Sequence, residues 1–324
     1  MTRILAISDP GTLASALAVL RSGQPVAVPT ETVYGLAADA TDPAAITSIY
    51  ETKGRPRFNP LIAHIADIDM AKLHVQFSPL AEQLAAAFWP GPLTLVLPLS
   101  ETSQIHPLAT AGLGTAAVRM PQGFARDLIA KFGKPLAAPS ANRSGRVSPT
   151  TAQHVAEDLD GRIELILDGG RCRVGVESTI LAVNDSQLQL LRPGGIPVEM
   201  IEAATGKVVD RSTPPAGSTA VIAPGMLASH YAPKARVRLN ASEVLPGEAL
   251  IKFGALPVEG EDQAKTVMDL SPAGDLREAA ANLFDMLKQA DASAPRGIAV
   301  AAVPEHGLGE AINDRLNRAA APRD

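Results

Sequence analysis

The chain has 324 residues, 46% of them hydrophobic and 19% charged, with a formal net charge of −5. That balance allows a sizeable core and excludes wholesale disorder, while the acidic sum excludes a general nucleic-acid coat, which would be basic. Aromatic residues make up 3% and there is one cysteine, Cys172, so an internal disulfide framework is excluded and the core must come from Ala, Leu, Val and Ile. The length suggests about two domains. No apolar run reaches the roughly 18 residues of a membrane span. Met1–Asp9 lacks the apolar stretch of a signal peptide, so the expectation is a cytoplasmic protein without membrane contact.

In chain order, Leu13–Arg21 reads as a helix closed by Gly23, and Pro25–Pro29 as a short buried strand. Asp42-Pro43 offers an N-cap with proline at the first helical position, which predicts a helix over Pro43–Glu51. Leu61–Ile65 is a strand. Ser78-Pro79 repeats the cap signal before a helix at Leu80–Phe88. Leu93–Leu97, Ala116–Arg119 and Leu136–Ala138 are strands, with a helix near Phe124–Phe132 between the last two. Ser148-Pro149 caps a helix running toward Leu159. Glu164–Leu167, Thr179–Val183 and Gln187–Leu191 end this region as strands. Short strands and irregular helices imply a twisted, largely mixed sheet in an α/β domain. From Gly206 to Lys234 the prolines and glycines read as a linker. Four strands (Arg236–Leu239, Ala249–Phe253, Thr266–Leu270, Gly297–Val303) and two helices (Leu276–Gln289, Leu308–Arg318) then form a smaller α/β unit. The expected division is 1–205, a linker at 206–235, and 236–324.

The common nucleotide signatures are absent. No G-x-x-x-x-G-K-[ST] loop occurs, and Gly112-Leu113-Gly114 leads into a strand instead of opening a helix, so it fails as a dinucleotide fingerprint. The six histidines are scattered without metal-ligand spacing. Any metal is therefore expected to be Mg²⁺ carried on phosphates, which needs few protein ligands. Cys172 lies between Arg171 and Arg173, yet no partner base is evident and an inert thiol is the favoured expectation. Three segments carry chemistry. Pro29-Thr30-Glu31-Thr32-Val33-Tyr34-Gly35-Leu36 crowds hydroxyls at a strand exit, where α/β ligands bind; a polar turn with a packed tyrosine explains it equally well. Lys53-Gly54-Arg55-Pro56-Arg57 sets three cations in five residues on a backbone stiffened by proline, which suits a triphosphate clamp. Pro139-Ser140-Ala141-Asn142-Arg143-Ser144-Gly145 precedes Ser148, where helix amides favour an anion. Arg119, at a strand end, offers a fork for a substrate carboxylate or for a structural salt bridge.

Together, PTETVYGLAADA, KGRPRFNPLIAHI, WPGPLTLVLP, AVRMP, PSANRSGRVSPT, GVESTI and LRPGGI resemble the Sua5/YrdC/YciO family, in family order from Pro29 to Ile196. APGMLASHYAPK, at Ala223–Lys234, is similar to the segment joining the domains of the two-domain Sua5 form. The resemblance implies a YrdC-like twisted mixed-sheet catalytic domain followed by a smaller, Rossmann-like α/β domain. It also implies a reaction in which L-threonine, bicarbonate and ATP give threonylcarbamoyl-AMP and pyrophosphate, feeding the threonylcarbamoyl modification of tRNA adenosine by downstream transfer proteins. Carried over by motif, Lys53 and Arg55 take the catalytic place. ATP contacts fall on Arg55, Asn59, Thr115, Ser140, Asn142, Ser148 and Arg192, with Tyr231 from the linker. Threonine contacts fall on Thr32, His64, Arg119, Ala138 and Ser178. Arg57, Arg171 and Arg173 add charge beyond the family pattern. An RNA-binding module is the competing class; the acidic charge and scarce aromatics oppose it as the main role and leave a weak RNA contact as the expectation. Carbamoyl transfer, as in hydrogenase maturation, is a second alternative, but the zinc-finger and acylphosphatase-like regions of that enzyme are missing.

Overall fold

The computed structural model describes residues 1–56, 58–184, 186–212, 230–255 and 257–322. Arg57 and residues 213–229 of the linker, including Pro214-Pro215 and Pro224-Gly225, lie outside the described residues.

The first domain holds strands β1 (Arg3–Ala6), β2 (Val26–Val28), β3 (Gly35–Asp39), β4 (Ile62–His64), β5 (Leu93–Pro98), β6 (Thr115–Arg119), β7 (Leu136–Ala137), β8 (Leu165–Asp168), β9 (Thr179–Val183), β10 (Leu188–Arg192) and β11 (Val209–Asp210). They form one mixed sheet in the order β1-β8-β2-β3-β7-β4-β6-β5-β9-β10-β11. Its helices are α1 (Thr12–Arg21), α2 (Pro43–Lys53), α3 (Ile68–His74), α4 (Pro79–Phe88), α5 (Pro107–Thr110), α6 (Phe124–Phe132), α7 (Ala152–Leu159) and α8 (Val198–Thr205). The C-terminal domain is a parallel sheet of β12 (Arg236–Arg238), β15 (Gly297–Val300), β13 (Glu248–Lys252) and β14 (Val267–Asp269), with α9 (Leu276–Ala292) and α10 (Leu308–Ala320).

The caps behave as the sequence predicts at two helices. Asp42 accepts from the Ala44 amide at 2.8 Å, and Ser78 from the Ala81 amide at 3.3 Å. The third expected cap is corrected. Thr151 caps α7 by accepting from the His154 amide, and Ser148 lies three residues upstream with its hydroxyl donated elsewhere. The last strand of the large sheet, β11, pairs with β10 inside the stretch whose composition reads as linker.

Alternation along the strands explains the layering. On one side Val26, Val28, Leu165 and Leu167 pack with α1 and α6 residues such as Leu20, Leu128 and Ile129. On the other side Ala27, Leu36, Ile166, Leu95 and Leu181 pack with residues of α2, α4, α7 and α8. At the β4-β6-β5-β9 end, Ile62, Ala117, Val96 and Ile180 form only a small cluster, with Ala182 and Leu191 packed against it. At its Ile62 end this face borders a cavity shared with His230 and Tyr231 of the linker.

The domains touch closely at Gly175. Its φ is +76°, and an added Cβ would lie 2.4 Å from both Ala280 O and Ala281 Cα of α9. Only glycine combines that backbone with that approach. Gly175→Ala is therefore expected to destabilise the protein by about 2–4 kcal/mol through strain and displaced docking. Calorimetric unfolding checks this, and an unchanged profile would contradict the close packing.

Candidate active site

Strand register assembles the site. Parallel pairing sets His64 beside Arg119 and Ile62 beside Ala117. Antiparallel β5 adds Val96 beside Ala117 and Pro98 beside Thr115. Next, β9 places Ile180 beside Thr94 and Ala182 beside Val96, and β10 places Arg192 beside Ile180 across a bulge. Paired residues share a face, and the period along each strand is two. One sheet face thus carries His64, Arg119, Thr94 and Arg192 at one end, an apolar middle, and Thr115 at the other. Four residue steps along β6 carry the chain from Thr115 to Arg119, about 13 Å at the usual rise.

At the polar end lies a cavity of about 50 Å³, lined by Thr32, Arg55, His64, Arg119, Ala138, Ser140, Ser178, Arg192 and Tyr231. Nine of the residues singled out in the sequence therefore meet in one place. Its walls also include Glu177 and His230, which the sequence displays in GVESTI and in the linker motif but which received no role. Lys53, Asn59, Asn142 and Ser148 are buried but do not line it. Among the described residues Thr115 lines a second, larger recess of about 800 Å³, together with Val96, Pro98, Ala182 and Gln189. Val96 and Ala182 belong to the same apolar cluster as Ile62, which lines the first cavity, so the two spaces adjoin along one face.

Lys53 closes helix α2, and the left-handed Gly54 that follows (φ 61°) turns the chain away. The ammonium donates to the carbonyls of Ser140 and Asn142. Burial, and then the charge of Arg55, hold it well below the usual lysine range. Arg55 donates to the carbonyls of Asn59 (3.3 Å) and Pro60 (3.0 Å), and burial lowers it to about 10. Arg192 donates through Nε and Nη2 to the Ser178 carbonyl and through Nη2 to its hydroxyl, at 2.9–3.2 Å. Ser178 and Thr94 share a hydrogen bond of 2.7 Å.

Arg119 is already engaged. Nη1 donates to Thr32 Oγ1 at 2.9 Å and Nε to Gly91 O at 3.2 Å. Nη2 stands 2.7 Å from Glu31 Oε1, an ion contact without the alignment of a hydrogen bond. Glu31 thus occupies the fork as a structural salt bridge, one of the two expectations for Arg119. Three residues on, Tyr34 is fully buried and donates to Gly170 O at 2.8 Å, the packed tyrosine of a polar turn, while Thr32 lines the cavity.

Glu177 receives the Ser148 hydroxyl on Oε1 at 2.7 Å and Arg315 Nε on Oε2 at 2.8 Å. Burial alone would raise its carboxyl, but Arg315, Arg192 and these bonds hold it at about 2. Burial pushes the Cys172 thiol up to about 12, in keeping with an inert role. Arg171 pairs with Asp285 at 3.1 Å and Asn282 at 2.9 Å of α9, and Arg173 with Gln122, so neither lines the cavity.

A mixed sheet with a cationic pocket on its uncovered end, joined to a parallel α/β domain, defines the Sua5/YciO/YrdC class in its two-domain form. The family described as Telomere recombination matches residues 18–194, and that described as Threonylcarbamoyl-AMP synthase, C-terminal domain, matches residues 196–321. The threonylcarbamoyl-AMP synthase of Bacillus subtilis is 43% identical, covering 100% of this chain and 96% of its own. That of Pyrococcus abyssi is 44% identical over 94% of this chain and 92% of its own. The crystal structure of P. abyssi Sua5 complexed with L-threonine superposes with a TM-score of 0.87 at 40% identity, covering 98% of each chain. The chain belongs to the Sua5 family of threonylcarbamoyl-AMP synthases.

The buried histidines predict acid sensitivity. Burial first, then the charge of Arg119, depresses His64 to about 3; burial does the same to His230, with Arg55, Lys53 and Arg192 adding to it against the opposing charge of Glu177. Between about pH 6.5 and 3 the unfolded chain therefore binds more protons than the folded one, and stability falls as pH falls. The contribution of these two histidines to the urea midpoint is expected to be level from pH 8 to 7 and to drop below about pH 6.5. A His64→Asn, His230→Asn variant should drop less between pH 6.5 and 5; a drop as steep as that of the parent would refute the assignment.

Proposed function

We propose that this pocket makes threonylcarbamoyl-AMP and pyrophosphate from L-threonine, bicarbonate and ATP. The observation that carries the reading is the arrangement on one sheet face. Arg55, Ser140, Arg192, Thr32, His64, Arg119 and Ser178 line one cavity, from which an apolar strip of the same sheet face leads to Thr115. ATP would lay its triphosphate on Arg55, Ser140 and Arg192 and its nucleoside along the strip. Threonine would sit at the Arg119 end; the P. abyssi relative is itself known as a complex with L-threonine. Admission of a substrate carboxylate to Arg119 requires it to share or displace Glu31.

Threonine amine and bicarbonate give N-carboxy-threonine with loss of water. A carbamate oxygen then attacks the α-phosphate, and pyrophosphate leaves with the β- and γ-phosphates. Both reactants are anions, so fixed cations supply the main electrostatic help, and joint positioning contributes about 7–11 kcal/mol of barrier reduction. His64 is held neutral and serves as a hydrogen-bonding wall, not a charge. Lys53 acts by fixing the Ser140 and Asn142 carbonyls. Glu177, the carboxylate at the cavity, is occupied by Ser148 and Arg315, so the donor set fits Mg²⁺ only as an ion arriving on the phosphates. Bound there, it would offset the charge on the leaving pyrophosphate. We assign the product to tRNA threonylcarbamoyl-transfer proteins, the compartment to the cytoplasm, and a weak RNA contact to the exterior. Among the described residues no helix is long and apolar enough to cross a membrane.

Pyrophosphate release measured with ATP and Mg²⁺, omitting threonine or bicarbonate in turn, tests the reading; release indifferent to both would overturn it. Arg55→Ala is expected to lower threonine-dependent release by about 100-fold or more with an unchanged circular dichroism spectrum.

A further inference from the structure

The C-terminal domain sends one side chain into the wall of the pocket. Arg315 of α10 is fully buried. Its Nε donates to Glu177 Oε2 at 2.8 Å, its Nη1 to Pro193 O at 3.0 Å and to Asp314, and its guanidinium lies 5.3 Å from the centroid of the Tyr231 ring. Nη2 is buried without a partner among the described residues. Glu177 and Tyr231, the two groups it touches, both line the cavity.

Glu177 is a problem for a pocket that receives anions. Its backbone cannot retreat: the carbonyl accepts from the Gly195 amide at 2.9 Å, and Gly194 packs so tightly that a Cβ there would lie 2.3 Å from Ser178 C. The carboxylate must therefore be neutralised where it stands. Ser148 supplies a neutral donor, and Arg192 spends its Nε and Nη2 on Ser178. The full counter-charge in contact with Glu177 is Arg315.

We propose that Arg315 is a positioning residue through which the C-terminal domain completes the ATP end of the pocket. It turns Glu177 toward the second domain, cancels its charge and braces Tyr231, so that Arg55 and Arg192 face the triphosphate without an opposing anion. This rests on the function proposed above. Without Arg315, an unpaired carboxylate repels ATP strongly at this low effective dielectric, while threonine, at the Arg119 end and zwitterionic, feels it less.

The test uses the full-length protein with Arg315→Met, Arg315→Lys, Glu177→Gln and the Arg315→Met, Glu177→Gln double variant. ATP affinity is read by calorimetry, and KM for ATP and for threonine by pyrophosphate release. Arg315→Met is expected to weaken ATP binding by about tenfold or more and to move the threonine KM far less. Arg315→Lys should recover part of the loss. The double variant should recover most of it, because the offending charge is gone. Unchanged ATP affinity in Arg315→Met, or equal losses for both substrates that Glu177→Gln does not relieve, would overturn the proposal. Should Arg315→Met fail to fold, the double variant decides: near-parental ATP binding supports the charge argument, and lost binding refutes it. Direct ATP affinity keeps this test separate from the reaction, since a parent protein that binds ATP but lacks threonine-dependent release would refute only the proposed function.

Discussion

An ammonium group moved from water into a protein interior forfeits several kcal/mol of hydration unless other dipoles replace it. Lys53 is almost wholly buried, and the replacement comes from two backbone carbonyls, Ser140 and Asn142. Much of the site follows from that bond pair. The Lys53 carbonyl accepts from the Ser144 amide, and the Asn142 side chain donates to the carbonyls of Arg143 and Arg146, so the Ser140–Ser148 loop is tied down along its length. Ser140 is thereby held at the cavity wall, and Gly145 is set where its carbonyl receives the Ala232 amide of the linker. A lysine that looks like a phosphate hand in the sequence is, in the fold, the pin between two loops and the linker.

The other cations divide by partner. Arg119 faces a carboxylate, Glu31, and Arg315 faces Glu177 and Asp314. Among the described residues, Arg55 and Arg192 have only carbonyl and hydroxyl oxygens at their nitrogens. Dipoles orient a guanidinium without cancelling its formal charge, so these two keep the field that a polyanion needs. The matched pairs fix geometry, and the unmatched pair supplies attraction, in a cleft where the weak screening makes each charge count for more.

The sequence made the helices legible where local chemistry decides them, as at Asp42-Pro43 and Ser78-Pro79. It failed at Ser148 because a serine before proline mimics a cap, while the true cap, Thr151, is one of two adjacent threonines. The strand β1 escaped notice since it lies at the sheet edge, paired only with β8 and half exposed, without alternation strong enough to mark it. Likewise β3, Gly-Leu-Ala-Ala-Asp, has weak strand propensity and is stabilised by its neighbours β2 and β7. The site was legible as motifs, because each strand end carries its own short signature. What no motif could display was the partnership between distant residues: Glu31 with Arg119, 88 positions apart, and Glu177 with Arg315, 138 apart. Arg315 sits in an ordinary amphipathic helix, and its burial is a property of domain docking, not of its local sequence.

That docking also sets the size of the pocket. The cavity of about 50 Å³ is far below the roughly 300–1,000 Å³ of ligand sites, because His230 and Tyr231 stand in its wall. Tyr231 adopts a left-handed backbone, φ 61°, which costs a tyrosine about 1–2 kcal/mol. The compensation is contact: its ring stacks on Phe284 at 5.4 Å and meets Arg315 and His230. Phe284 and Arg315 both belong to the C-terminal domain. Any rearrangement that admits a nucleotide past Tyr231 must therefore loosen contacts to α9 and α10, and any loosening there must release backbone strain at the pocket. Substrate entry and domain contact are two sides of one equilibrium, which gives the second domain a physical stake in chemistry performed on the first.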